Sequence, residues 1–313
     1  MFFTTDTSML STVNSRPGGL FEGKTHYVLS SENFGSDEPL VICVHGLGSY
    51  YAHYDLLTQA LKAESFTVLT FDLMGRGYSP YPDDDTDSEG YPIFGAESHV
   101  KQMRELIVGL GFDKRKYHVV GHSMGGAIAA LYTSKFGTDE VLSLTLLSPA
   151  GLMDGGLIKF IRRNSCLHGM VRRQLQSGSR KTFENDFYGR GPVVKASVED
   201  MLEIQSKNPH IFEAVWNSIL QFPFADLKFA ATKLAQMHNI RIMVMWADKD
   251  KAVPLSPNLR RWKGHFEKHK HPSVEYKVFQ RACHGFFIEF ADEFNADMIR
   301  FLKGGANPLV TAV

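Results

Sequence analysis

The chain has 313 residues, with 34 basic and 34 acidic side chains and no formal net charge at pH 7. This balance gives no global field that would attract nucleic acid, and no apolar run is long enough to span a bilayer. The first residues lack the basic start and apolar stretch of a signal peptide, and Cys43, Cys166 and Cys283 form no disulfide framework, so we expect a cytoplasmic protein.

The first half of the chain alternates apolar runs with helical patterns. Residues 1–23, rich in Ser, Thr, Pro and Gly, predict a loose leader. Short continuous apolar runs are typical of strands buried on both faces, and their alternation with helices predicts a mostly parallel, three-layer α/β sheet. The predicted strands span residues 24–30, 40–44, 66–71 and 141–147, with one more leading in from Tyr117; the predicted helices span about residues 50–62 and 94–109, with one more after Ser123.

Between residues 152 and 239 the alternation stops, and only helical patterns remain. Ser197-Val198-Glu199-Asp200 resembles a capping box that opens a helix ending near Asn208-Pro209. Further helices are predicted over residues 211–222 and 226–237, and the alternation resumes with strands at 240–246 and 274–279 and helices at 257–269 and 286–302. We therefore predict a core in two parts, residues 24–151 and 240–304, interrupted by a helical cap over residues 152–239.

The segment Gly121-His122-Ser123-Met124-Gly125 predicts a strand, a very tight turn and a helix. The two glycines remove Cβ atoms that would collide where the strand and the helix meet. The turn exposes the Ser123 hydroxyl, and the Met124 amide points the same way from the helix start. A nucleophile beside an anion site suits acyl transfer, although a plain glycine-rich turn or a phosphate cradle is the simpler alternative.

Four polar or special turns fall after predicted strands, at the carboxyl edge of the sheet where ligands bind. They are His45-Gly46-Leu47-Gly48, the Ser123 turn, Asp250 and His284. A serine hydroxyl needs a base, a neutral histidine suits that task near pH 7, and a carboxylate fixes the histidine tautomer. The chain order Ser123, Asp250, His284 matches one known arrangement of such a triad.

These segments, together with Asp72-Leu73-Met74-Gly75-Arg76-Gly77-Tyr78-Ser79 and the stretch from Asp248 to Pro254, make the chain similar to the α/β-hydrolase fold family over residues 25–303. The resemblance implies that Ser123 is the nucleophile, His284 the base and Asp250 its orienting acid, with no cofactor or metal. It also implies an oxyanion hole formed by the amides of Leu47 and Met124.

Two alternatives bear on these assignments. Asp248 competes with Asp250, which we favour because its distance from Val253-Pro254 resembles the turn of the family. Dehalogenases and epoxide hydrolases of this fold carry aspartate at the elbow, and Ser123 argues against both.

Substrate-binding residues are expected near the turn and in the cap. We name His45, Gly46, His122, Trp216 and Phe222. His122 is not our candidate base, because its neighbouring position on a strained turn points it away from Ser123, so a structural or pocket-lining role is expected instead.

The cap also carries a basic, amphipathic stretch. Between residues 157 and 181 there is no acid, and apolar side chains alternate with the bases Lys159, Arg162, Arg163, Arg172, Arg173, Arg180 and Lys181. Such a segment can lie on an anionic lipid surface, or it can be a solvated face balanced by acids elsewhere in the cap.

Taken together, the sequence predicts a serine hydrolase acting on a carboxylic ester with an apolar tail, such as a monoacylglycerol, a lysolipid or a small ester. Amide, thioester and carbon–carbon bond hydrolysis use the same triad, and a ligand receptor that keeps the fold without turnover is a further alternative.

Overall fold

The computed structural model describes residues 11–14, 24–31 and 39–305. Over these residues the strands form one sheet in the order β1-β2-β4-β3-β5-β6-β7-β8, parallel from β4 to β8 and antiparallel at the edge formed by β1 and β2. The prediction of a mostly parallel sheet is confirmed. The strands are β1 (Ser11–Asn14), β2 (Lys24–Leu29), β3 (Leu40–Val44), β4 (Thr67–Phe71), β5 (Tyr117–His122), β6 (Val141–Leu147), β7 (Arg241–Ala247) and β8 (Val274–Phe279).

Helices connect these strands and cover both faces of the sheet. The helix predicted over residues 50–62 is divided into a 3₁₀ turn at Tyr51–Tyr54 and α1. The predicted closing helix is divided in two at Phe290. The α-helices are α1 (Asp55–Ala63), α2 (Ala96–Gly109), α3 (Met124–Glu140), α4 (Gly156–Arg163), α5 (His168–Ser177), α6 (Ser179–Asn185), α7 (Pro192–Lys207), α8 (Ile211–Gln221), α9 (Lys228–Gln236), α10 (Leu255–Lys268), α11 (Phe286–Glu289) and α12 (Ala291–Leu302).

The central strands are buried on both faces, which gives the three layers. In β3, Ile42 and Val44 pack into an apolar cluster with α2, α3, α9 and α10. Val41 and Cys43 point to the opposite face and pack with α1 and α12. Successive strand side chains point to opposite faces. A strand that is covered by a helix layer on each side is therefore apolar at every position.

Helices α4 to α8 follow β6 and precede α9, and no strand occurs among the described residues of this segment. The cap boundary at residue 239 stays a prediction, but α9 packs on α3 and α10 and buries Ala231 and Leu234 in the core. We therefore propose a cap of residues 152–226. The predicted capping box is wrong, because α7 begins at Pro192 and Ser197 lies inside the helix. Proline is favoured at the first position of a helix.

Strand β1 was not predicted, and it pairs with β2 at the sheet edge. The rest of the predicted leader lies outside the described residues. No helix in the part of the chain that the structure describes is long and apolar enough to cross a membrane.

The end of β3, the end of β5 and the start of α3 meet through their backbones. A Cβ on Gly121 would lie 2.4 Å from the Gly125 carbonyl oxygen, and a Cβ on Gly125 would lie 2.2 Å from that of Val44. Only glycine allows approaches this close. The predicted role of Gly121 is confirmed, whereas Gly125 packs on the end of β3 rather than on its own strand.

We predict that Gly125→Ala destabilises the protein by about 3 kcal/mol or more, because the new methyl group meets rigid backbone rather than a side chain that can move. Gly264→Ala is the matched control, since Gly264 lies within α10 with open space around it. Alanine there should stabilise the helix by about 0.5–1 kcal/mol. Urea denaturation measures both variants, and equal stabilities would contradict the packing argument.

Candidate active site

Ser123 occupies the sharp turn between β5 and α3. Its backbone has φ +56° and ψ −119°, a conformation that residues other than glycine rarely adopt. The turn is held on both sides, because the Ser123 amide donates to Leu147 at 2.9 Å and the Ser123 carbonyl accepts from Gly126 and Ala150. A strained residue that its surroundings hold this firmly is typical of a functional site.

His284 lies in the loop after β8 and pairs with Asp250 from the loop after β7. The His284 Nδ1 atom is 2.8 Å from Asp250 Oδ2, and Asp250 Oδ1 accepts from the Val253 amide at 2.8 Å. Burial alone would lower the pKa of His284, but the charge of Asp250 and this hydrogen bond outweigh burial and raise the pKa above its ordinary value. The carboxylate therefore favours the imidazolium form.

Asp248, the competing acid, has other partners. Its carboxylate accepts from the Ala282 amide at 3.1 Å and lies 3.2 Å from the Lys249 ammonium group. Burial raises the pKa of Asp248, but its hydrogen bonds and the charge of Lys249 together outweigh burial and lower the pKa. Asp248 thus fixes the strand-end turn, and the geometry supports Asp250 as the partner of His284.

Ser123 and His284 line one cavity of about 300 Å³ beneath the cap, near the lower end of the range for small-molecule sites. Its walls are mostly apolar, and among the described residues that line it there is no Lys or Arg and one acid, Asp186. The apolar side chains from the cap are Met153, Ile158, Leu175, Phe183, Phe187, Val198, Met201, Phe212, Val215, Ile219 and Phe224.

The loop after β3 lies against the serine turn. A Cβ on Gly46 would be 3.2 Å from the Ser123 Cβ, so these backbones are in close contact. The amides of Leu47 and Met124 make no hydrogen bond within the described residues. Two free amides beside a serine form an arrangement that can hold an anionic oxygen.

His45 orients this loop and does not line the cavity. Its Nδ1–H donates to the Gly46 carbonyl at 2.8 Å, while its Nε2 accepts from the Leu73 amide at 2.9 Å. Burial lowers the pKa of His45 to about 3, which keeps the ring neutral and this tautomer fixed. Because the Gly46 carbonyl and the Leu47 N–H belong to one peptide plane, the ring sets the direction of that N–H.

The structure divides the predicted substrate-binding residues by whether they line the cavity. Gly46 and His122 line the cavity, whereas His45, Trp216 and Phe222 do not. The Trp216 ring packs against His168 with centroids 5.1 Å apart, and Phe222 is fully buried in the core cluster beside Phe224.

His122 supports the loop that carries His284. Its Nε2–H donates to the His284 carbonyl at 3.1 Å, and the two rings lie 4.4 Å apart. Burial is the main cause of a pKa well below the ordinary value, so His122 stays neutral. This agrees with the expectation that His122 is not the base.

Three residues of the site were missed at the sequence level. Arg76 is fully buried and joins the loop after β3 to the cap, donating to the Leu47 carbonyl at 2.9 Å and to the Ala214 carbonyl at 3.1 Å. His53 and Asp186 line the cavity beside His284. Only Arg76 lay in a segment that the sequence had singled out, and the other two are single polar residues with no motif around them.

Comparison with known proteins places this geometry in context. Residues 39–291 match the family model described as the alpha/beta hydrolase fold. Lipase 3 of Moraxella sp. is 26% identical over 216 residues, which cover 69% of this chain and 64% of the lipase. Monoacylglycerol lipase abhd6-B of Xenopus laevis is 25% identical over 59% of this chain and 48% of its own length. The chain thus spans about half to two thirds of these curated relatives.

Solved structures agree at the level of the fold. An esterase from Exiguobacterium antarcticum superposes with a TM-score of 0.71 at 17% identity, over 94% of this chain and 99% of the esterase. The 2-hydroxy-6-oxo-6-phenylhexa-2,4-dienoate hydrolase of Rhodococcus sp. strain RHA1 gives 0.68 at 21% identity, over 95% and 100%. Both keep the same fold as this chain.

We predict that Asp250→Asn lowers the pKa of His284, because it removes the charge that raises it, and that the rate at which a fluorophosphonate labels Ser123 falls by on the order of 10³–10⁴. NMR titration of the His284 ring and labelling at pH 7.5 measure the two effects. Asp248→Asn is the matched control in the same turn and should change neither quantity. If Asp248→Asn lowered the labelling rate as far as Asp250→Asn, the assignment of the acid would be reversed.

Proposed function

Because the chain belongs to the α/β-hydrolase fold family, we propose that it is a serine hydrolase that cleaves uncharged carboxylic esters with an apolar acyl chain. The observation that carries this proposal is the joint position of the strained Ser123 and the His284–Asp250 pair at one apolar cavity. The named lipases and esterase among its relatives support the same reaction class.

In the proposed reaction, the Ser123 Oγ attacks the ester carbonyl carbon while His284 Nε2 takes its proton. The carbonyl oxygen becomes an oxyanion between the Leu47 and Met124 amides, which His45 and the start of α3 orient. His284 then gives the proton to the departing alcohol, leaving an acyl-serine. A water molecule then attacks the acyl carbon while His284 takes its proton. The bond to Ser123 Oγ breaks, His284 returns the proton to Oγ, and the acid is released. Asp250 keeps Nδ1 protonated and stabilises the imidazolium throughout.

The cavity chemistry favours a neutral ester over a carboxylate substrate. The dienoate that names the Rhodococcus hydrolase carries a carboxylate. A buried carboxylate is stabilised most by a cation, and the lining of this cavity, as described, offers no Lys or Arg and holds one acid that would repel it. Monoacylglycerols and small fatty esters meet these conditions. We therefore favour ester hydrolysis over cleavage of a carbon–carbon bond, and amides and thioesters stay alternative substrates.

We predict that Ser123→Ala abolishes both turnover of p-nitrophenyl esters and labelling by a fluorophosphonate, with unchanged thermal stability, because it removes the attacking oxygen alone. Among p-nitrophenyl esters, kcat/KM should rise from acetate to a medium-chain ester, since each CH₂ buried in the cavity adds about 0.8 kcal/mol. Labelling of Ser123 without repeated turnover of any ester would favour the receptor alternative instead.

We also propose that the outer faces of α4 and α5 contact an anionic lipid bilayer that holds the substrate. These helices have two different faces. Ile158 and Leu175 line the cavity, whereas Leu157, Phe160 and Met170 are 71%, 55% and 64% exposed. Exposed apolar side chains among bases are typical of a helix that lies in a membrane interface.

The cations of this surface fall into two groups. Three are engaged within the cap: Arg162 donates to the Ile219 carbonyl at 3.0 Å, Arg172 pairs with Glu213, and Arg180 pairs with Glu199. The others form no ion pair within the described residues, and they are exposed: Lys159, Arg163, Arg173 and Lys181. Three of these cations lie on α4 and α5, the helices that expose Leu157, Phe160 and Met170, and Lys181 lies on α6. Such cations match an anionic surface, each adding about 1 kcal/mol of attraction.

We predict that Lys159→Glu with Arg163→Glu lowers turnover of an ester carried in phosphatidylglycerol-containing vesicles about tenfold or more, because two attractive charges become repulsive. Turnover of a dissolved ester should not change. Lys268→Glu with Lys270→Glu, two exposed bases outside the cap, is the matched control. Equal losses on both substrates, or equal effects of the two double variants, would refute lipid contact.

A further inference from the structure

Asp186 brings an acid from the cap to the catalytic end of the cavity. It follows α6 directly and lines the same cavity as Ser123 and His284. Among the described residues that line this cavity it is the one acid, and its carboxyl group interacts with the charges of both His284 and Asp250. None of the proposed steps of ester hydrolysis involves this second carboxylate.

The segment that carries Asp186 is fixed to the loop that carries His284. The Gly285 amide donates to the Asp186 carbonyl at 2.6 Å. The Phe187 ring lies so close that a Cβ on Gly285 would be 2.5 Å from it. The Glu289 carboxylate also accepts hydrogen bonds from the amides of Tyr188 and Gly189. The two segments therefore hold each other in one arrangement, and the Asp186 position does not depend on its own side-chain contacts.

The charged groups around His284 come from several elements. Asp250 lies at Nδ1, and Asp186 approaches from the cap. His122 and His53 also face the ring, but burial lowers the pKa of both, that of His53 to about 4, so they carry no charge near neutral pH. Glu289 and Lys251 act on the neighbouring Cys283. Burial raises the pKa of Asp186 to about 6, so Asp186 is ionised at pH 7 and above.

We propose that Asp186 is a positioning residue that stabilises the imidazolium form of His284 from the cap side. The inference rests on the proposed function, in which His284 takes the Ser123 proton. While the Oγ–carbon bond forms, the imidazole gains one positive charge, and two carboxylates then face it in place of one. Asp186 neither takes the proton nor touches the substrate carbonyl. The cap thus supplies part of the electrostatic environment of the base as well as the apolar walls.

Asp186→Asn tests this role, because it removes the charge and keeps the size of the side chain and the backbone link to Gly285. We expect kcat at pH 8 to fall roughly three- to thirtyfold, the size expected for one partly screened charge. The acidic limb of the kcat/KM profile should move to lower pH, since loss of a nearby negative charge lowers the pKa of His284. Asp186→Glu should keep the limb near its original position. Glu184→Gln, which removes a charge two residues earlier, is the matched control and should leave the profile unchanged.

A second measurement separates this inference from the proposed function. In a Ser123→Ala background, which has no nucleophile, NMR titration gives the pKa of the His284 ring with and without Asp186→Asn. A lower pKa in the double variant supports the role of Asp186 whatever the reaction is. An unmoved pKa together with an unmoved acidic limb overturns it, even if activity falls, because a purely structural role would produce that result. Full ester turnover by Ser123→Ala would instead refute the proposed function.

Discussion

The structure of the site depends on a direct backbone contact between the start of α3 and the end of β3. Gly125 lies against the carbonyl groups of Val44 and His45, with no room for a side chain. This approach sets the distance between the serine turn and the loop that follows β3. The spacing between Ser123 and the Leu47 amide is therefore set by main-chain packing, which is stiffer than any pair of side chains.

The histidines around the cavity show how burial and charge divide their roles. His45, His53 and His122 are all taken out of water, and burial lowers the pKa of each. His45 and His122 then act as neutral rings that orient backbone groups through a fixed tautomer. His284 is buried too, but Asp250, and Asp186 behind it, raise its pKa. Carboxylates alone distinguish the ring suited to carry a proton from its neighbours.

The cap is tied to the core through polar contacts at both ends of the site. At one end, Arg76 donates to carbonyl groups of the loop after β3 and of α8. At the other, residues 186–189 bond to the segment from Gly285 to Glu289. Between these two attachments the walls are apolar. The same cap helices present bases and apolar side chains outwards, so the cavity and the proposed lipid-contacting surface lie on opposite faces of α4 and α5.

Local patterns in the sequence were sufficient for the strands from β2 to β8, and the family resemblance supplied an acid for His284. Continuous apolar runs gave β3, β4, β6 and β7 to within a residue or two, because a strand covered on both faces leaves no polar alternation. Chain order and turn spacing favoured Asp250 over Asp248, and the hydrogen bond to His284 agrees. The strands depend on residues close together in the chain, whereas the pairing joins two loops that are 34 positions apart.

Contacts between distant segments decided the rest. The helical pattern of α9 does not distinguish it from the cap helices, and only its packing on α3 and α10 supports assigning it to the core. Trp216 and Phe222 do not line the cavity, although their apolar character alone would suit a lining. Asp186 has no motif around it, and it matters because Gly285, 99 positions later, bonds to its backbone. The sequence by itself determined which elements form and which groups end each strand, since these follow from local periodicity and turn chemistry. Only the tertiary structure decided which side chains meet, because burial and charge at a site are summed over segments that the chain order keeps apart.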